Sequence, residues 1–200
     1  MKKKCLPLIL LLFLMFIPGV FAQIVYLPSS IETIEGTYTD GDLGSVIVEH
    51  DHDWYNVTES VGVPAFDIRI NFSDVLLPFD YLTARVSYSG TEGHIVKACL
   101  WNYTSEAWNC FIRFYDEDRL RQEHSIIPNY QHHVSGGLVQ MRIHNDQAGN
   151  TNHEIFIDFV SLELAYTPAS KGEFVAAALV ASLILVPLLI LLIFAARRKW

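Results

Sequence analysis

Phe66-Asp67-Ile68-Arg69-Ile70-Asn71-Phe72 decides the fold class. Four apolar side chains alternate with three polar ones. Successive side chains on a strand point to opposite faces, so this is a half-buried strand with Asp67, Arg69 and Asn71 turned outward. The same period recurs twice. Leu82, Ala84, Val86 and Tyr88 alternate with Thr83, Arg85 and Ser87, and Val139, Met141 and Ile143 alternate with Gln140, Arg142 and His144. Ile155 to Leu164 is a longer apolar run with Asp158, Ser161 and Glu163 set into it, which suits a strand covered on both faces. Shorter strand candidates are Ser45 to Glu49 and Tyr55 to Glu59.

Turn signals separate these runs: Asp40-Gly41-Asp42, Gly62-Val63-Pro64, Ser89-Gly90-Thr91, Ser135-Gly136-Gly137 and Gly149-Asn150. Asp116 to His124 is polar and reads as a long loop or one helical turn. No helical period is sustained between the two ends of the chain. Roughly eight to ten short strands at this spacing predict an all-β fold of two antiparallel sheets packed as a sandwich.

The two ends carry different signals. Met1-Lys2-Lys3-Lys4, an apolar run from Cys5 to Phe16, and small residues at Val20 and Ala22 form a secretory signal over 1–22, with Gln23 first in the mature chain. An uncleaved N-terminal anchor is the alternative. From Phe174 to Ala196 the sequence has no charge. As a helix this run reaches about 34 Å, enough for a hydrocarbon core of about 30 Å, and Pro187 would kink it. Arg197-Arg198-Lys199 follows at once, the basic flank of a cytoplasmic side. The expected order is therefore a signal at 1–22, a β-sandwich ectodomain at 23–166, a stalk at 167–173, a transmembrane helix at 174–196 and a cytoplasmic tail at 197–200. The protein would be a single-pass type I membrane protein with its ectodomain outside the cell. A removable tail for sortase-like or lipid anchoring is the rival, though no LPxTG-like sequence precedes the run.

All 22 acidic residues lie between Glu32 and Glu173, with only eight of the 14 basic ones, a net of −14. That balance argues against nucleic acid and against anionic lipid headgroups as partners. No GxSxG, HExxH or P-loop is present, so the chain reads as non-catalytic.

Cys99 and Cys110 remain after signal removal, in an oxidising compartment. They flank Leu100-Trp-Asn-Tyr-Thr-Ser-Glu-Ala-Trp-Asn109, which reads as a hairpin. With Thr104-Ser105 at the tip, Cys99 faces Cys110 and Trp101 faces Trp108. A cross-strand disulfide follows, in a hydrogen-bonded pair with Cα atoms about 5.5 Å apart. Two free, partly buried thiols are the alternative. Three sequons, Asn56-Val-Thr58, Asn71-Phe-Ser73 and Asn102-Tyr-Thr104, fit a secretory route, with Asn71 and Asn102 at reachable positions.

Several segments together resemble the galactose-binding-like jelly rolls of many carbohydrate-binding modules and surface-protein domains. They are Tyr55-Asn-Val-Thr-Glu59, Pro64-Ala-Phe-Asp-Ile-Arg-Ile-Asn-Phe72, the hairpin with Asn102-Tyr103-Thr104 and Trp108, and Ile157-Asp158-Phe159-Val160-Ser161-Leu162. The likeness spans most of residues 45 to 164 and is one of strands and turns. It implies a jelly-roll sandwich and raises glycan binding as a function, without transferring a ligand site. Similar jelly rolls often hold a structural calcium between an early loop and the last strand, and Asp40, Asp42 and Asp158 are the nearest equivalents here. Otherwise these are ordinary turn aspartates and a polar strand position. No other cofactor is implied.

Flat aromatic rings suit a sugar-binding face, because the C–H face of a pyranose packs on them while polar groups at the rim take its hydroxyls. Trp101, Tyr103 and Trp108 cluster at one hairpin, and Trp54 lies at a loop-strand junction. A Trp pair that merely covers the disulfide is the competing explanation. Glu49-His50-Asp51-His52-Asp53 is the densest polar cluster. On a strand it would place His50 and His52 on one face, as a metal pair requires, but two imidazoles alone are a weak site and a solvated strand end is the reading favoured. The resulting expectation is a membrane-anchored surface recognition module for carbohydrate or another extracellular ligand. The alternative is a structural or assembly subunit of a cell envelope, virion or membrane complex, with protein neighbours.

Overall fold

The computed structural model describes residues 24–90, 92–115 and 117–164. The expected signal, stalk, membrane span and tail lie outside the described residues. Among the described residues no helix is long and apolar enough to cross a membrane.

Eleven strands run through the described chain. They are β1 Ile24–Tyr26, β2 Ser30–Glu35, β3 Thr37–Asp40, β4 Tyr55–Thr58, β5 Phe66–Phe72, β6 Tyr81–Ser89, β7 Ile95–Asn102, β8 Ala107–Tyr115, β9 Glu117–Ile126, β10 Val139–Asn145 and β11 Glu154–Leu164. One sheet has the order β3-β4-β11-β6-β9, with β1 also paired to β11, and the other is β2-β5-β10-β7-β8. Every pairing is antiparallel. After β4 the chain crosses to the other sheet at each connection except the β7–β8 hairpin.

Alternation decides which face each strand buries. Phe66, Ile68, Ile70 and Phe72 of β5 are fully buried, as are Val139, Met141 and Ile143 of β10 and Val96, Ala98 and Leu100 of β7. They meet Leu82, Ala84, Val86 and Tyr88 of β6 and Ile155, Ile157, Val160 and Leu162 of β11 in one core. Each such side chain contributes about 1.5–3 kcal/mol by leaving water. Asp158 and Ser161 of β11 are buried too, so this strand is covered on both faces.

Two sequence expectations give way. Ser45 to Glu49 is no strand: Gly44–Val46 forms a 3-10 turn. Asp42 Oδ1 accepts the Gly44 N–H at 2.6 Å and Ser45 Oγ accepts the Asp42 N–H at 2.9 Å. Such short-range side-chain bonds compete with a ladder, while Val46 still buries its side chain. The expected loop from Asp116 to His124 gives way too: over its described residues, 117–124, the chain is part of the strand β9, Glu117–Ile126, paired to β6. It lies at a sheet edge, where charged side chains are tolerated on both faces and discourage further pairing. The cross-strand partner and not the residue pattern makes it a strand.

Candidate functional site

The face of β2-β5-β10-β7-β8 turned away from the core collects the outward residues of five strands. The register sets them in rows. Glu32, Arg69, Arg142, Cys99 and Cys110 lie across one, and Asp67, His144, Lys97 and Arg113 across the next. Trp101 and Trp108 pair directly at the hairpin end.

The hairpin differs in detail from its expectation. Residues 103–106 form a four-residue loop in place of a two-residue turn, and Asn102 Oδ1 accepts the N–H groups of Thr104 and Ser105, both at 2.9 Å. The predicted pairs Cys99 with Cys110 and Trp101 with Trp108 hold, and the disulfide forms. Lengthening the loop by two residues exchanges the two kinds of pair along the ladder. The cysteine Cα atoms accordingly stand 3.8 Å apart, on the side of the close, non-hydrogen-bonded class of about 4.5 Å. A register shift between Ala98 and Cys99 then sets the rest of β8.

The two indoles meet edge to face, with centroids 5.2 Å apart at 64°. The Arg69 and Arg142 guanidinium carbons lie 4.8 and 5.4 Å from the centre of the Trp108 ring. Arg69 and Arg142 stand on β5 and β10, so Trp108 leans from β8 across the sheet and takes a cation–π contact from each. Asp67 holds Arg69 in a fork, Nε to Oδ1 at 2.9 Å and Nη2 to Oδ2 at 2.7 Å, with Arg142 Nε 3.6 Å from Oδ1. Lys97 donates to both oxygens of Asp146, at 3.1 and 2.9 Å.

His144 locks this layer from beneath. Arg142 Nη2 lies 2.7 Å from Nδ1, and Nε2 lies 3.5 Å from Cys99 Sγ. Burial, then the Arg142 charge, push the imidazole pKa down to about 4. The ring is therefore neutral near pH 7, accepting at Nδ1 and carrying its proton at Nε2. The bond from Lys97 lowers the pKa of Asp146, and burial lowers that of Arg142 against the pull of Asp67.

The other aromatic residues do not join this face. Tyr103 turns inward: its hydroxyl is buried without a hydrogen-bond partner, and burial raises its pKa. Trp54 belongs to the other sheet, with its ring edge-on to Phe156 at 5.5 Å and its Nε1 buried without a partner. Gly41 is what lets the chain pass there. It has φ +92°, and a Cβ would sit 2.3 Å from the Trp54 carbonyl oxygen.

Nor do the three aspartates converge. Asp40 Oδ1 accepts the Gly41 N–H at 2.8 Å, and Asp42 caps Gly44. Asp158 is buried against Arg85, whose Nε lies 3.3 Å from Oδ2, so a guanidinium already supplies its counter-charge. These residues do not fit the calcium that the jelly-roll resemblance implies. His50 and His52 sit in a loop at φ 67° and 65°, outside any strand, and the Arg85 guanidinium lies against the His50 ring. Of the sequons, Asn56 has its Oδ1 buried and Asn71 Nδ2 donates to Ser30 Oγ at 2.9 Å. Asn102 is buried inside its loop and is not the reachable tip residue expected. An open depression of about 570 Å³ beside Ser30, Glu32, Tyr38, Asp42 and Tyr55 carries neither an indole nor a cation.

Fold and face together define a two-sheet antiparallel β-sandwich with an aromatic, cation-bearing sheet face. The sandwich is similar to carbohydrate-binding modules. A mutant of a family 29 module aligns at a TM-score of 0.49 with 8% identity, covering 71% of this chain and 91% of that one. A family 29 module from Piromyces equi aligns at 0.45 with 10% identity over 76% and 97%. A family 35 module from an environmental isolate aligns at 0.41 with 10% identity over 72% and 93%. Likenesses of this order transfer neither a site residue nor a ligand. No protein-family model matches the sequence, and no curated protein does.

Proposed function

We propose that the outer face of the β2-β5-β10-β7-β8 sheet binds carbohydrate, as the working surface of a non-catalytic recognition module of jelly-roll type tethered to a membrane by 174–196. One observation carries the reading: Trp101 and Trp108 are paired at the hairpin end, with Arg69 and Arg142 ranged on Trp108 and Asp67 fixing Arg69. An indole takes the C–H face of a pyranose, and forked N–H donors beside it take the hydroxyls. Cross-strand pairing and ion pairs hold these groups in place before a ligand arrives, which lowers the ordering cost of binding.

The test is a glycan array probed with the full-length chain, followed by Trp fluorescence titration of any sugar retained. The reading predicts saturable binding that Trp108→Ala or Arg142→Ala reduces at least about tenfold, the loss of about 1.4 kcal/mol. Uniform failure across the array would sink it. The assembly-subunit alternative has its own observation. Leu76 and Leu77 are 81% and 52% exposed beside Tyr26, whose hydroxyl bonds the Leu77 backbone. Self-association that Leu76→Ser abolishes would favour that alternative.

A further inference from the structure

Away from the aromatic face, three residues distant in sequence come together where β4 ends and the β6–β7 and β10–β11 loops meet. Glu59, His94 and His153 each offer a ligand atom, and these atoms lie within 4.8 Å of one another. We propose that they form a binding site for one divalent ion of the zinc type.

The carboxylate is the centre of the cluster. Glu59 is 0% exposed. Tyr88 Oη donates to Oε1 at 2.5 Å, Asn145 Nδ2 to Oε1 at 3.1 Å and the Asn150 N–H to Oε2 at 2.8 Å. Three donors converge on this buried carboxyl group, a setting that a nearby positive charge completes. Among the described residues no lysine or arginine pairs with Glu59; the basic groups nearest to it are two imidazoles, His153 Nδ1 at 3.2 Å from Oε2 and His94 Nδ1 at 3.9 Å from Oε1. A divalent cation shared with two imidazoles supplies the missing charge.

The donor set and spacing suit zinc. Two imidazole nitrogens and one carboxylate oxygen are a three-ligand set that leaves a fourth position open. Ligand atoms each about 2.0–2.1 Å from a tetrahedral ion stand about 3.3 Å apart. Glu59 Oε2 and His153 Nδ1 already have that spacing, while His94 Nδ1 stands 3.9 Å from the other carboxylate oxygen and has to move toward the ion. His94 and His153 stand on loops, are 16% and 15% exposed, and their rings lie at 85° with centroids 6.1 Å apart. An ion therefore has a way in from solvent. Asn145 and Tyr88, 3.1 Å apart, hold the carboxylate from behind, the supporting role that outer residues play at metal sites.

The cluster is separate from the disulfide group of Cys99, Cys110 and His144, whose sulfurs are bonded to each other and so are not thiolate ligands. Bound zinc would tie three connections of the sandwich together.

The test uses the untagged full-length chain, stripped with chelator and titrated with ZnCl2 by calorimetry, and with Co2+ as a visible-absorption probe. One ion per chain is expected, with the intense visible bands of four-coordinate Co2+ and a higher Tm when zinc is present. His94→Ala and His153→Ala should each weaken binding by more than about a hundredfold, beyond the usual loss on removing a supporting residue alone. Because Glu59→Gln disturbs a buried group that several hydrogen bonds depend on, the two histidine variants decide the matter. The Tm of their metal-free forms shows whether each is folded. Absence of stoichiometric binding to the stripped wild type overturns the proposal. So does unchanged binding to the doubly substituted His94→Ala, His153→Ala chain, which would place the ion on other histidines such as His50 and His52.

Discussion

The Trp108 indole meets Trp101 and receives the cationic groups of Arg69 and Arg142, so under the proposed function its removal acts on stability and on ligand capture together. Trp108→Ala should cost about 1.5–3.5 kcal/mol in chemical unfolding, the sum expected of one aromatic pair and two partly exposed cation–π contacts. Trp108→Phe should recover most of that stability but less of the sugar affinity. At His144 the outcome depends on pH. The folded ring titrates near 4 and the unfolded ring near 6.5, so between these values the unfolded chain binds more protons. The stabilising contribution is fully present above about pH 6.5 and is lost as pH falls toward 4. Its size is about 3 kcal/mol at about 1.4 kcal/mol per unit. Burial lowers the pKa of His133 as well, which adds in the same direction. Stability curves from pH 7 to 4 should flatten in His144→Gln; an unchanged slope would contradict the assignment. Most of these side chains were legible as outward positions, because alternation placed Asp67, Arg69, Arg142 and His144 on the polar faces of their strands. Their convergence on Trp108 was not, since it depends on β10 lying between β5 and β7, and no local pattern encodes that neighbourhood. Glu59, His94 and His153 left no spacing signal at all for the same reason.

Among the elements, the β7–β8 hairpin carries the aromatic pair and its disulfide. Cys99 and Cys110 are 11 residues apart, and closing a loop of that size restricts the unfolded chain by about 3 kcal/mol in the chain-entropy picture. Cys99→Ala with Cys110→Ala should lower stability by about that amount in denaturant titration and loosen Trp108, visible as broadened indole NMR signals. A change below about 0.5 kcal/mol would show that the pair contributes nothing to holding the hairpin. The hairpin could be read in advance because its partners are adjacent in sequence and both cysteines and tryptophans share one register. The short strands β1, β2 and β3 gave little warning. They are only three to six residues long, too short for a period to show, and their pairing comes from β11, β5 and β4 and not from a neighbour in a tight hairpin. Ser45 to Glu49 went the other way, Val46, Ile47 and Val48 suggesting a strand while Asp42 and Ser45 bonded to the nearby backbone and closed the Gly44–Val46 turn.

For the whole molecule, the charge distribution gives the face its contrast. The span from Glu32 to Glu173 holds 22 acidic and eight basic residues, and Arg69, Lys97, Arg113 and Arg142 are four of those eight. All four stand in outward rows of one sheet, so half of the cations of an acidic domain lie on the face that carries the indoles, two of them directly on Trp108. Under the proposed topology the full-length chain should sediment with membranes and expose this face to added protease or biotinylation reagent on intact cells; recovery from cytosol with the first 22 residues retained would contradict that topology. The central claim is that this sheet face captures sugar. Its most direct measurement is a glycan array with full-length wild type and Trp108→Ala side by side: selective binding by the wild type and loss in the variant are predicted, and equal signals from both, or none from either, would contradict it.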